Sequence, residues 1–150
     1  MKQAVVLALV LLTAPLVLDA QAPAAAPCAP SNGLSFICNL QKPEDLVPIP
    51  GTRWMVVSGM EAGAGLQLID TRARRAQPFP AGAPARADRS RFAGCPGPFD
   101  PKLANFHGLS LRPAQAGQHT LYVTNHGGRE SVEVFDVDAR GDTPSATWVG

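Results

Sequence analysis

The side chains able to do acid–base or metal chemistry are few and well spaced. Adjacent carboxylates, Glu44 and Asp45, stand at the head of an apolar run. Histidines occur at 107, 119 and 126, and cysteines at 28, 38 and 95. Paired carboxylates offer oxygen ligands to a hard cation, and a histidine near its ordinary pKa can take a proton from water. Each also has a plainer reading. Glu-Asp before a strand is ordinarily a solvated turn, and His126 lies in Asn-His-Gly-Gly, where a turn wants residues tolerant of positive φ. His119 follows a polar loop and reads as exposed. No C-x-x-C or Cys/His spacing suggests zinc. The odd cysteine count leaves one thiol over in an oxidising compartment. Cys28 can close a short loop to Cys38, or either can take a partner elsewhere.

These residues must be positioned by short elements. The 150 residues include 14 glycines and 15 prolines with only 6% aromatics, a composition rich in turns and poor in long helices. An apolar share of 45% still supports a packed core. With 13 basic and 12 acidic residues, the net charge of +1 gives no electrostatic case for nucleic acid or an anionic membrane surface. Met1-Lys2 followed by the apolar residues 4–18 reads as a secretory signal over 1–22, cut between 20 and 26. That run is too short for a membrane span, so the mature protein is expected to be exported, periplasmic or extracellular. A Pro/Ala-rich arm, 23–37, comes next, and one β domain fills 38–150.

Strands are expected at Asp45–Ile49 (with Pro48 confining it to an edge or bulge), Arg53–Ser58, Leu66–Asp70, Gly108–Leu111, Thr120–Thr124, Ser131–Val137 and Ala146–Val149. Between the third and fourth lies a connector, 71–105, with six arginines from 72 to 91 and six prolines from 78 to 101. The little aromatic interleaving beside its arginines, at Phe79 and Phe92, and its proline spacing mark a solvated insertion. The β regions overlay. Glu44–Pro50 precedes His107–Pro113 by 63 positions, Trp54–Val57 answers Leu121–Thr124, and Leu66–Asp70 answers Ser131–Asp136. Without the connector the period is about 40 to 45 residues, the size of a propeller blade. Two blades cannot close a propeller, and a strand ending at Trp148–Gly150 leaves an edge bare. The chain is therefore expected to be the front part of a longer protein, or to close by self-association.

The motifs resemble those of calcium-dependent six-bladed propeller hydrolases: paraoxonases, arylesterases and gluconolactonase-like relatives. Cys38-x5-Glu44-Asp45-Leu46 resembles the start of the paraoxonase first blade. Asn105-Phe106-His107-Gly108-Leu109-Ser110 is similar to Pro-His-Gly-Ile-Ser, with Phe in the Pro position. Val123-Thr124-Asn125-His126, followed by Glu130-Ser131-Val132-Glu133-Val134-Phe135, resembles Val-Val-Asn-His and then Ser-Thr-Val-Glu-Leu-Phe. The likeness spans residues 38–149.

The resemblance implies an all-β, six-bladed propeller, represented here by about its first two blades, that hydrolyses lactones or aryl esters with two calcium ions. Glu44 would bind the catalytic ion, and Asp45 with the Leu109 backbone carbonyl the structural one. His107 and His126 would activate water, His126 orienting His107. Cys38 would pair with a cysteine near the end of the full-length protein. The remaining calcium ligands would come from later blades. The alternative is a secreted propeller module that binds without turnover, or a fragment inactive by itself.

Overall fold

In a computed structural model, residues 28–30, 32–80 and 82–150 are described. The proposed signal segment, and residues 23–27 and 31 of the Pro/Ala-rich arm, lie outside them. The described residues are all-β, with two four-stranded antiparallel sheets. The first is ordered β1 (Pro43–Pro48), β2 (Trp54–Gly59), β3 (Leu66–Asp70), β4 (Arg75–Pro78). The second is ordered β5 (Phe106–Pro113), β6 (Gln118–Asn125), β7 (Ser131–Asp138), β8 (Ser145–Trp148). Among the described residues no helix is long and apolar enough to cross a membrane.

Seven strands fall where hydrophobic patterning places them. The eighth, β4, lies inside the segment read as insertion. Its four residues, Arg-Ala-Gln-Pro, carry no β signal and are held by pairing with β3, as in Leu68 against Gln77. Pro48 sits at the end of β1, an edge strand, where a missing N–H is tolerated.

The two sheets share a local irregularity. Pro43 opposes Gly59 and Leu46 opposes Val57, so Glu44 and Asp45 together face the single residue Ser58. Likewise Phe106 opposes Asn125 and Leu109 opposes Val123, so His107 and Gly108 together face Thr124. Each first strand thus has a β-bulge, 63 positions apart, as the overlay of β1 on β5 requires. The overlay of the second strands is one residue out. Trp54 opposes Asp70 as Thr120 opposes Asp136, which equates Trp54 with Thr120 and not with Leu121. A slip by one exchanges the faces of a strand. Alternation could not fix the phase, because β2 is buried on both faces.

The core lies between the sheets. Trp54, Val56 and Leu68 of the first meet Phe106, Leu121, Val123, Phe135 and Val137 of the second. The principal approach between sheets is β5 against β1 and β2. The connector enters this core, with Ala104 fully buried and Phe79, Cys95 and Phe99 packed against it. Phe99 meets Phe106 and Phe135 edge-on at 5.2 and 6.0 Å between ring centroids. Edge-to-face pairs at such distances are worth about 1 kcal/mol beyond their burial.

The connector also covers the outer edge of β8. Ala146 N–H donates to Pro80 O, Gly82 N–H to Ala146 O, Arg86 N–H to Trp148 O and Asp88 N–H to Val149 O, at 2.7–3.1 Å. Arg91 ties it to Asp136 at 2.8 Å. The connector is exposed over much of its length, as expected of an insertion, yet it is tied down as a strap, and the strand edge expected to be bare is paired. The reason is main-chain hydrogen bonding, which proline and arginine content does not reveal.

Two further expectations change. A disulfide joins Cys28 to Cys38, with Cα atoms 6.1 Å apart. That is the local pairing and not the staple to a distant cysteine that the resemblance implies; Cys95 is free and half-buried. His119, expected to be exposed, is 6% exposed, and neither ring nitrogen has a hydrogen-bond partner. It lies on β6 in register with Val137, on the strand face that buries Leu121 and Val123. The strand begins two residues before the stretch that its hydrophobicity marks.

Candidate active site

The bulges set the site. A bulge places two consecutive residues opposite one and re-aims their side chains. In β1 these are Glu44 and Asp45, and in β5 His107 and Gly108. Because β5 lies against β1, the irregularities of two sheets meet.

His107 Nδ1 lies 2.9 Å from Glu44 Oε2. The His107 ring stands edge-to-face with that of His126, with centroids 4.5 Å apart at 81°. His126 Nδ1 lies 2.5 Å from Glu130 Oε2. Glu44, His107, His126 and Glu130 thus form a continuous line across two sheets. His107 is the sheltered member, with its side chain 23% exposed against 45% for His126.

Asp45 locks the sheets together beside this line. Its Oδ2 accepts the Leu109 N–H at 2.7 Å and its Oδ1 accepts the Leu46 N–H at 2.8 Å. Its own N–H donates to the Oγ of buried Ser58. Leu109 therefore meets Asp45 through its amide, whereas the resemblance invokes its carbonyl.

The turn bearing His126 is braced from below. Asn125 is fully buried, its Oδ1 accepting from Asn105 N–H and Gly127 N–H at 3.0 Å. Its Nδ2 donates to Gly127 O, and His126 N–H donates to Asn105 O. Gly127 is obligatory by contact, since a Cβ there would sit 1.9 Å from Leu103 O.

Below the turn lies a buried charge. Glu133 accepts a two-pronged pair from Arg129, Nε to Oε1 at 2.8 Å and Nη2 to Oε2 at 2.7 Å. Ser131 Oγ and Trp148 Nε1 add 2.7 and 2.8 Å bonds. Burial alone would push this carboxyl up. The bonds from Arg129, Ser131 and Trp148 outweigh it and hold the pKa below the ordinary value.

Calcium takes six to eight oxygens. Of the three residues singled out for it, Glu44 has one oxygen on His107, and both Asp45 oxygens accept main-chain N–H groups. Among the described residues no group of three or more His, Cys, Asp or Glu is gathered as a metal cage. The donors are right in kind and short in number, so these residues alone do not complete a calcium shell.

Glu44, Asp45, Leu109, His107 and His126 are thus all brought together, while His119 stands apart in the core. Sequence reasoning passed over Glu130, Asn125 and Glu133. The i,i+4 spacing from His126 across two glycines was a legible signal for Glu130. So was a glutamate in the apolar run of β7 for Glu133. An open depression of about 360 Å³ borders the bulge, lined by Gly108, Leu109, Ser110, Tyr122, Thr124 and Val132. A larger cleft of about 600 Å³ opens at the opposite strand ends around Arg53, Arg72 and Asp142, and none of the site residues lines it. No protein-family model, no curated protein and no solved structure matches the chain.

Proposed function

We propose that the two sheets are consecutive blades of a calcium-dependent β-propeller hydrolase acting on lactones or aryl esters. The observation that carries this is the convergence of Glu44 and His107 from equivalent bulges of two sheets, with His126 4.5 Å away between ring centroids. His107 serves as the base that takes a proton from the attacking water, and its partial shelter favours a defined water over bulk solvent. His126 packs edge-on and restricts the orientation of the His107 ring. Asp45, by bonding Leu109, fixes the distance between the bulges. The apolar depression beside Gly108 receives the acyl or aryl portion. In this reading Glu44 would hold a catalytic calcium, and Asp45 with the Leu109 carbonyl a structural one, each completed by oxygens from further blades; the ion at Glu44 would supply polarisation of the ester carbonyl.

Chelation tests the reading. Aryl-ester and lactone hydrolysis should disappear in excess chelator, return on adding calcium, and fall at least about 100-fold in Glu44→Gln. Activity that survives both would refute it. The short donor set favours a second reading, a secreted module that binds without turnover. Calcium uptake by the folded protein with no hydrolysis over a broad lactone and ester panel would select it.

A further inference from the structure

The line of contacts at the site does not stop at the two histidines. It continues to Glu130, whose Oε2 lies 2.5 Å from His126 Nδ1. An ionised carboxylate can only accept hydrogen bonds, so the ring nitrogen facing it carries the hydrogen. In a neutral imidazole that leaves Nε2 as the basic nitrogen. The geometry points to Glu130 as the positioning residue of His126, fixing its Nδ1–H tautomer and the tilt of its ring toward His107.

The surroundings make the contact selective. The cation nearest in sequence, Arg129, is committed to Glu133 and to Gly97 O, so it does not compete for Glu130. The return of the chain over Gly127 and Gly128, the latter at φ +73°, places residue 130 back beside residue 126. Asn125 and Asn105 fix the backbone from which His126 projects. The arrangement gives each histidine its own carboxylate on Nδ1, Glu44 for His107 and Glu130 for His126. Orienting groups of this kind typically change activity by about 10- to 100-fold when removed.

This inference rests on the hydrolytic reading for what the histidines accomplish, and on contact geometry alone for what Glu130 does. Long-range ¹⁵N–¹H NMR of the ring nitrogens in the full chain, with His126→Ala to assign the signals, reads the tautomer directly. Wild-type His126 should be mainly Nδ1–H. In Glu130→Ala the ratio should move about fivefold toward Nε2–H, and Glu130→Gln, which keeps an acceptor oxygen, should restore it. The Glu130 side chain is 75% exposed, so neither variant threatens folding. Ester-hydrolysis kinetics on the same proteins should show a tenfold or larger loss in kcat with little change in KM. A tautomer that is Nε2–H in wild type, or unmoved in Glu130→Ala, overturns the inference whatever the hydrolysis shows. A tautomer that moves as expected in a protein that hydrolyses nothing upholds the role of Glu130 and sinks the hydrolytic reading instead.

Discussion

At the scale of single residues, the chain spends an unusual amount of polar chemistry on one turn. Residues 125–133 contain the buried Asn125, the histidine of the site, the carboxylate that meets it, and the buried Glu133 paired with a partly exposed Arg129. A buried ion pair is weak evidence of net stabilisation, yet breaking one side is costly, because the other charge is left without compensation. Glu133→Ala strands the Arg129 guanidinium and the Trp148 N–H, and should cost about 3 kcal/mol in urea unfolding at pH 7. The pH dependence has a definite sign. The Glu133 pKa in the folded protein is held below the ordinary value of 4.5, so the folded state binds this proton less tightly than the unfolded chain does. Its stabilisation is fully present above about pH 4.5 and is lost as pH falls through the folded value. The gap between wild type and Glu133→Ala should therefore narrow on going from pH 7 to pH 3.5. A constant gap would contradict the assignment.

At the scale of elements, the bulges and the glycine turn do the positioning. Strand existence and type were legible, because Trp54–Ser58, Leu66–Asp70 and Thr120–Thr124 are β-branched, apolar and bounded by turn residues. The repeat was also legible at the first strands, where Glu44 and His107 fall at equivalent bulge positions. What escaped was held by contacts that side-chain pattern does not encode. β4 forms because β3 offers it a ladder. The one-residue phase error in β2 followed from apolar residues on both faces of that strand. The strap over β8 depends on main-chain bonds and on Gly82, where a Cβ would stand 2.3 Å from Thr147 Oγ1. The turn after β6 depends likewise on Gly127. Gly127→Ala forces its new methyl into Leu103 O, so the turn must shift. Overpacking of this kind costs about 1–3 kcal/mol. It should also displace His126, lowering hydrolysis by at least about tenfold, because misplacement of an oriented group is costly to rate. A variant as stable and as active as wild type would contradict this account of the turn.

At the scale of the whole molecule, two repeat-related sheets share one core and one mouth. The aromatic contacts of Phe99, Phe106 and Phe135 join the connector to the second sheet, and Trp54 Nε1 of the first sheet donates to Asp142 O in the β7–β8 turn of the second at 2.8 Å. Of the site, the residue types and their repeat spacing could be read from sequence. The partnership of Glu44 with His107 could not, because it depends on how closely β5 approaches β1. The proposed chemistry depends on that approach, since Glu44 reaches His107 only where β5 lies against β1. The most direct test is aryl-ester hydrolysis in calcium by an active protein carrying the further blades proposed for it, beside its His107→Gln variant, with matching circular dichroism showing that both are folded. A general base contributes about 10²–10⁴-fold, so the variant should lose at least a hundredfold in kcat. Equal rates in the two proteins would remove His107 from the chemistry, and the account of the site with it.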